Sequence, residues 1–300
     1  MPRVSVCVSV LNQPDLLRGT LASIYNQSFK DWECIVVDDG SSDESVVLLK
    51  QNFPNVSVVA KAKHEGFASC VNAGVGAAKG EIVVLLNTDV VPEKNFLLPL
   101  LKHFNDPKVF AVGCMDKSKE GEAVVLRGRG IAKWQRGFFV HERGEIDASD
   151  TAWVSGGSGA FRRTTWQELG GMDPLFNPFY WEDIDISYRA RKVGYRLVFE
   201  SKSVVTHFHE EGKIKQSFSK IHVKIIAYRN QFTFIWKNIS DLSFMISHAI
   251  WTPLRLLQAI LMGDPWMVLG YVAALVRLPQ IFISRIKASK HWKRPDRELV

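Results

Sequence analysis

Three carboxylates fall within four residues at Glu182, Asp183 and Asp185, directly after the aromatics Phe179, Tyr180 and Trp181. Acids at a helix start are stabilised by the macrodipole and need no further reason to be there. Here, though, an aromatic wall stands beside them, and the turn Gly156-Gly157-Ser158-Gly159-Ala160-Phe161 upstream permits close backbone approach. That setting suits a general base facing a sugar hydroxyl. Asn87-Thr88-Asp89 comes directly after the apolar run EIVVLL. A carboxylate at such a strand end can hold a divalent cation beside a diphosphate through hard oxygen ligands, or simply cap the segment after Pro92. Asp38-Asp39-Gly40-Ser41 closes a second apolar run, WECIVVD. A D-G pair is a common turn, and a carboxylate there can also accept from the imide N–H of a uracil or thymine ring. His207 and His209 bracket Phe208 and share one face if the stretch is a strand. No four-ligand zinc spacing accompanies them.

The frame that must hold these groups alternates strand and helix. Val4–Val10, Trp32–Asp38, Val56–Ala60 and Glu81–Leu86 read as short strands, separated by helices opening at Pro14, Val46 and Phe67. Near-continuous apolar strands between helices predict a parallel sheet covered on both faces. The polar clusters then lie at its carboxyl edge, where open α/β sheets bind ligands. Neither GxGxxG nor GxxxxGK[ST] comes after the first strand, which disfavours a dinucleotide-binding domain or a P-loop. From about Val109 short strands and turns run to Arg163. Beyond them lie a helix near Thr165–Leu169, a helix over Ile184–Val193 and a strand at Arg196–Glu200, and the chain reads as helical after Gly212.

With 300 residues, 46% of them hydrophobic and 23% charged, the chain can bury a substantial core and is not disordered, collagen-like or disulfide-stapled. Its net charge of +7 is unevenly placed: residues 201–300 hold 15 basic and 6 acidic side chains, while the rest is slightly acidic. A basic last third points to an anionic partner. The four cysteines, Cys7, Cys34, Cys70 and Cys114, have no CxxC spacing, so a reducing compartment is expected. The start MPRVSVCVSVLNQPD lacks a signal-peptide apolar core, which leaves the N-terminus on the synthesis side.

Three stretches, VSVCVSVLNQPDLLRGTLASIYNQSFKDWECIVVDDGSSD, HEGFASCVNAGVGAAKGEIVVLLNTD and SGGSGAFRRTTWQELGGMDPLFNPFYWEDIDISYRARKVGYRLVF, together resemble the family 2 inverting glycosyltransferases and their nucleotide-sugar-binding GT-A fold. They cover roughly residues 4–210. The LNTD form, with WED and a later histidine, is most similar to the branch of rhamnosyl- and galactofuranosyl-transferases, which extend lipid-linked or cell-envelope glycans. The resemblance implies an α/β GT-A domain over 1–212, with 1–108 as the nucleotide-sugar half and 109–212 as the acceptor half. Residues 213–300 would form a helical, basic, membrane-interfacial extension. Asp39, with Asp38 beside it, would recognise the base. Val10, Asn12, His64, Gly66, Asn87 and Thr88 would complete the donor site, and Gly156, Gly157 and Trp181 would face the acceptor. Asp89 matches the last carboxylate of the family's metal-binding triplet, and His207 falls where a related branch has a third ligand for Mg²⁺ or Mn²⁺. Asn87 replaces the triplet's first carboxylate. Asp183 would be the base, with Glu182 as its neighbour. A non-catalytic nucleotide-sugar-binding scaffold is the competing expectation, and it is disfavoured because Asp183 and Asp89 are both kept.

Over residues 242–284, Arg255, Asp264 and Arg277 divide an apolar region into uncharged pieces of at most 13 residues. A spanning helix needs ~20 apolar residues, so none is expected. Trp251, Trp266 and Trp292, with Arg285, Lys287, Lys290, Lys293 and Arg294, instead suggest helices lying on an anionic membrane surface, or a packing element. The expected location is peripheral, on the cytoplasmic side of the inner or plasma membrane. Basic residues interleaved with aliphatic runs, rather than with stacking aromatics, argue against a nucleic-acid partner.

Overall fold

The computed structural model describes residues 1–208 and 217–300, and His209 lies outside them. The alternation of VSVCVSV sets the two faces of strand β1 (Val4–Val10). Val4, Val6, Val8 and Val10 pack with Leu17, Leu21 and Ile24 of helix α1 (Pro14–Tyr25), while Cys7 joins the opposite core with Val71 and Val75 of α3 (Phe67–Ala77). Burying both faces explains why the strand reads as a nearly unbroken apolar run. β1 pairs in parallel with β2 (Trp32–Asp38) and β4 (Ile82–Asn87), and β2 with β3 (Ser57–Ala60). The four cysteines are free and buried, and burial pushes the thiols of Cys34, Cys70 and Cys114 up to about 12.

The sheet continues past β4 with a change of direction. β10 (Ala160–Arg162) runs antiparallel to β4 and to β6 (Val109–Glu120), and β6 is parallel to β11 (Arg196–His207). The short β5 (Val90–Pro92) closes that edge antiparallel to β11, and β7 (Ala123–Arg127) pairs with β6. Strand order is β3-β2-β1-β4-β10-β6-β11-β5. The result is a mixed α/β architecture whose largest ladders are parallel. A separate hairpin, β8 (Gly130–Gln135) with β9 (Phe138–Arg143), packs away from the sheet.

Two of the boundaries that differ from the sequence reading bear on the site. β11 does not stop at Glu200: it shifts register between Glu200 and Val204 and runs on to His207, because the polar Ser201-Lys202-Ser203 step is absorbed as an irregularity. Helix α6 spans Glu182–Val193, starting two residues before Ile184, so Glu182 and Asp183 lie in its first turn.

The C-terminal helices are α7 (Lys220–Asn238), α8 (Leu242–Leu261), α9 (Trp266–Leu275) and α10 (Leu278–Ser289). Phe232, Phe234 and Ile235 of α7 share a core with Phe138 and Phe139 of the hairpin and Tyr188 of α6. Two buried carboxylates fasten this layer. Asp185 accepts from Arg189 at 2.8 Å, Lys237 at 2.9 Å and Asn238 at 2.8 Å. Asp296 accepts from Tyr188 at 2.5 Å and pairs with Lys192 at 2.7 Å.

The expectation that no apolar segment reaches spanning length is corrected. α8 is one continuous helix of 20 residues, long and apolar enough to cross a membrane, because neither Pro253 nor the single Arg255 interrupts it. Leu242, Ile246, Ile250, Leu254, Leu257 and Leu261 form an exposed stripe at helical spacing, each more than half exposed. Two residues read as surface-facing are turned inward. Arg285 donates to the carbonyls of Trp236, Lys237 and Ile239, and the ring of Trp292 lies beneath Lys192 and Arg285.

Candidate active site

The ends of β1, β2, β4 and β11 and the start of α6 open into one cavity of about 520 Å³. Among the residues expected to act, Val10, Asp39, His64, Asn87, Thr88, Asp89, Gly156, Gly157, Glu182, Asp183 and His207 line it. Asn12, Asp38, Gly66 and Trp181 do not, and each has a local task instead. Asn12, at φ 51°, accepts from the Ser42 amide at 2.7 Å through its side chain and donates its own amide to Ser41 Oγ at 2.9 Å, joining the ends of β1 and β2. The Asp38 carboxylate accepts from the Ser41 amide at 3.2 Å and shapes the turn. Gly66 has φ 96°, and a Cβ there would sit 2.7 Å from the Asn177 side chain, so glycine is required. The Trp181 ring faces the third core, edge-on to Phe139 and His141, while Phe179 and Tyr180 supply the aromatic wall.

At the β2 end Asp39 is nearly inaccessible and well satisfied. One oxygen accepts from the Glu65 amide at 3.1 Å; the other accepts from the Gly66 amide at 3.1 Å and lies 2.7 Å from His64 Nδ1. Lys61 stands 3.6 Å away. The carboxylate thus fixes the His64–Gly66 bend, which carries the half-exposed His64 ring into the cavity.

At the β4 end the Asn87 amide donates to the Gly157 carbonyl at 3.0 Å, and a Cβ on Gly157 would come within 2.6 Å of Asn87 Nδ2. Thr88 Oγ1 donates to Gln13 at 2.6 Å. Asp89 is buried and faces His207, with Oδ2 3.4 Å from Nε2. The other ring nitrogen, Nδ1, is 2.9 Å from Asp116 on β6, which sequence reasoning missed. Burial alone would lower the His207 pKa, but the carboxylates of Asp116 and Asp89 outweigh it and push it up to about 9.

At the start of α6 two left-handed residues precede the acids, Tyr180 at φ 70° and Trp181 at φ 77°. Such backbone is costly for side-chain-bearing residues and persists only where its surroundings impose it. Asn230 of α7 does so: its Nδ2 lies 2.8–2.9 Å from the carbonyls of Phe176, Phe179 and Tyr180. Asp183 Oδ1 accepts from the Ile184 amide at 2.8 Å, and Glu182 Oε2 is buried without a hydrogen-bond partner. Burial raises both carboxyls above their ordinary range. For Glu182 the neighbouring Asp183 charge adds to it; for Asp183 the amides of Ile184 and Gly156 partly oppose it. A carboxylate with raised pKa is a better proton acceptor near neutrality.

Metal fit rests on Asp89 and His207. Among the described residues no three His, Cys, Asp or Glu side chains form a self-sufficient metal cluster. A hard cation held by one carboxylate and one imidazole, with phosphate oxygens completing the shell, is nevertheless consistent with this pair. Asp116 on Nδ1 leaves Nε2 directed at Asp89, as a carboxylate behind a ligating histidine does. Arg127, at the end of β7, also lines the cavity. A hint of it was present in the sequence Leu126-Arg127-Gly128-Arg129-Gly130, where small residues flank a cation.

Comparison with known proteins bears on the family and the fold. The chain is 29% identical over 212 residues to the pre-mycofactocin glycosyltransferase of Mycobacterium tuberculosis, covering 69% of this chain and 43% of that protein. It is 22% identical over 214 residues to the O-antigen chain rhamnosyltransferase RfbN of Salmonella typhimurium, covering 69% of this chain and 67% of the relative. Among solved structures, GalNAc-T7 with UDP, GalNAc and Mn²⁺ superposes with a TM-score of 0.65 at 19% identity, over 80% of this chain and 48% of that one. The chain thus spans less than half the length of the mycobacterial relative. The family model described as glycosyl transferase family 2 matches residues 5–170, from β1 through β10 and α5 (Arg163–Glu168), and the chain belongs to that family.

Proposed function

We propose that this protein transfers a sugar from a nucleoside-diphosphate sugar to an acceptor hydroxyl with inversion at the anomeric carbon. The observation that carries the reading is a single cavity holding Asp183 with its raised pKa, the Asp39–His64 bend and the Asp89–His207 pair. The base and ribose lie toward Val10, Asp39 and His64, and the diphosphate toward Asn87, Thr88 and Asp89. Asp183 takes the proton from the acceptor hydroxyl. The oxygen forms its bond to the anomeric carbon as the bond to the phosphate oxygen breaks on the opposite face, and the nucleoside diphosphate departs. Asp89 and His207 would hold Mg²⁺ or Mn²⁺, which supplies charge neutralisation for the leaving diphosphate. Arg127 adds fixed positive charge to the same cavity. Burial and the neighbouring Asp183 charge both raise the Glu182 carboxyl, which disfavours a second full negative charge beside Asp183.

The relatives that act on O-antigen chains support a lipid-linked or envelope glycan as acceptor and a rhamnosyl-transferase-like donor. The exposed stripe of α8, together with the exposed Lys287, Lys290 and Lys293, supports peripheral seating on the cytoplasmic face of an anionic membrane. A screen of nucleotide-sugars for cation-dependent release of nucleoside diphosphate tests the transfer, with Asp183→Asn as control. Release that is unchanged in that variant assigns the base elsewhere, and no release with any donor favours a binding scaffold.

A further inference from the structure

The His64 ring offers the cavity a nitrogen that neither the fold nor the proposed transfer uses. The side chain is 43% exposed and lines the cavity, with Nδ1 pinned 2.7 Å from Asp39 Oδ2. A carboxylate there accepts the Nδ1–H, so in the neutral imidazole Nε2 keeps its lone pair. Among the described residues Nε2 has no hydrogen-bond partner.

The carboxylate behind the ring is spent. Oδ2 also accepts from the Gly66 amide, Oδ1 accepts from the Glu65 amide, and Lys61 Nζ stands 3.6 Å from Oδ1. A carboxylate has about four lone-pair directions, and here three hold N–H donors while an ammonium stands over the oxygen that carries the fourth. The Asp39 side chain is 5% exposed. Asp39 is left with nothing to accept a base, so the contact that the sequence resemblance gives it passes to the ring it holds.

We propose that His64, and not Asp39, reads the base of the donor through Nε2, and that it selects bases carrying a ring N–H. The assignment rests on the nucleotide-sugar reading of this cavity. Uracil and thymine present N3–H on their pairing edge and guanine presents N1–H, and each can donate to Nε2. Cytosine N3 and adenine N1 are acceptors at the corresponding place, so two lone pairs would face each other. A site built to hydrogen-bond its ligand rejects an analogue lacking the group strongly, because its own polar atom is left unpaired. Val10 and Leu11, at the end of β1, give the same cavity apolar surface for a flat ring.

The test is calorimetric titration of the full chain with UDP, dTDP, GDP, CDP and ADP in Mg²⁺. The tightest of them should be UDP, dTDP or GDP, by roughly tenfold or more over CDP and ADP. Methylating its ring N–H, as in 3-methyl-UDP or 1-methyl-GDP, should cost roughly tenfold or more as well. His64→Phe keeps a flat ring without Nε2, and His64→Leu removes the ring; melting curves check that both fold. In these variants the plain and methylated nucleotides should bind within about threefold of each other, since the atom that tells them apart is gone. Three results overturn the proposal: tightest binding of CDP or ADP, tolerance of the methylated nucleotide by the parent protein, or discrimination that survives in the folded His64 variants. The last returns the base contact to Asp39. Binding of none of these nucleotides removes the nucleotide-sugar reading itself, and this assignment with it.

Discussion

His207 sits between two carboxylates, one on each ring nitrogen, and this makes the stability of the cation-free protein depend on pH in a defined direction. An imidazole that titrates near 6.5 when unfolded and about 9 when folded binds its proton more tightly in the native state. The stabilisation is therefore fully present below pH 6.5 and is lost as pH rises through 9. At ~1.4 kcal/mol per pH unit this amounts to roughly 3 kcal/mol, an upper figure, and the side chain is only 14% exposed, so solvent screening removes little of it. Urea denaturation in chelator from pH 6 to 10 should show wild-type stability falling across that window, while His207→Gln shows a flatter profile and converges with it at the alkaline end. A ligated imidazole must be neutral, so cation binding at pH 7.5 should expel close to one proton. Titrating Mn²⁺ calorimetrically in buffers of different ionisation enthalpy counts it. Parallel pH profiles of the two proteins would refute the paired geometry, and cation binding without proton release would remove His207 from the coordination shell.

The same geometry carries other expectations. Asp183→Asn should lower turnover by a factor on the order of 10²–10⁴ with donor affinity little changed, as measured by steady-state kinetics and donor titration. Because a base must be ionised, wild-type turnover should fall on acidification at a pH above the ordinary aspartate value of 3.8, since burial raises Asp183; an acid limb at or below that value would contradict its environment. Asn230→Leu strands three carbonyls of the loop before α6, so stability should drop by roughly 1–3 kcal/mol in urea titrations and turnover should fall more than donor affinity does. Replacing Ile250 and Leu257 by Asp should abolish co-sedimentation with anionic vesicles while leaving the melting temperature unchanged; binding that survives both changes locates the membrane contact elsewhere.

Much of the frame was legible because its causes are local. β1 and β2 announce themselves through β-branched runs buried on both faces, and the WED segment through its crowded acids at a helix start. Asp116 was not legible, since its importance comes from His207, 91 residues away on the neighbouring strand, and nothing in its own surroundings marks it. Asn230 hides for the same reason: in sequence it is one polar residue in an aromatic helix, and only the fold sets it under the Phe176–Tyr180 carbonyls. The length of α8 was not legible either, because one arginine divides an apolar run in sequence without ending the helix. Trp292 and Arg285 had the composition of interface residues, but their side chains meet Lys192 and the end of α7.

The two carboxylates that fasten α6 come from opposite directions in time as well as in space. Asp185 is made early and waits for Lys237 and Asn238, while Tyr188 and Lys192 wait for Asp296, which is 108 residues beyond Tyr188. A nascent chain carries β1 to β4 long before it carries α7. The helix bearing Asp183 lacks both clamps until α7 has emerged, and lacks the second until Asp296 has. Both fastenings of α6 therefore exist only in a chain that reaches Asp296.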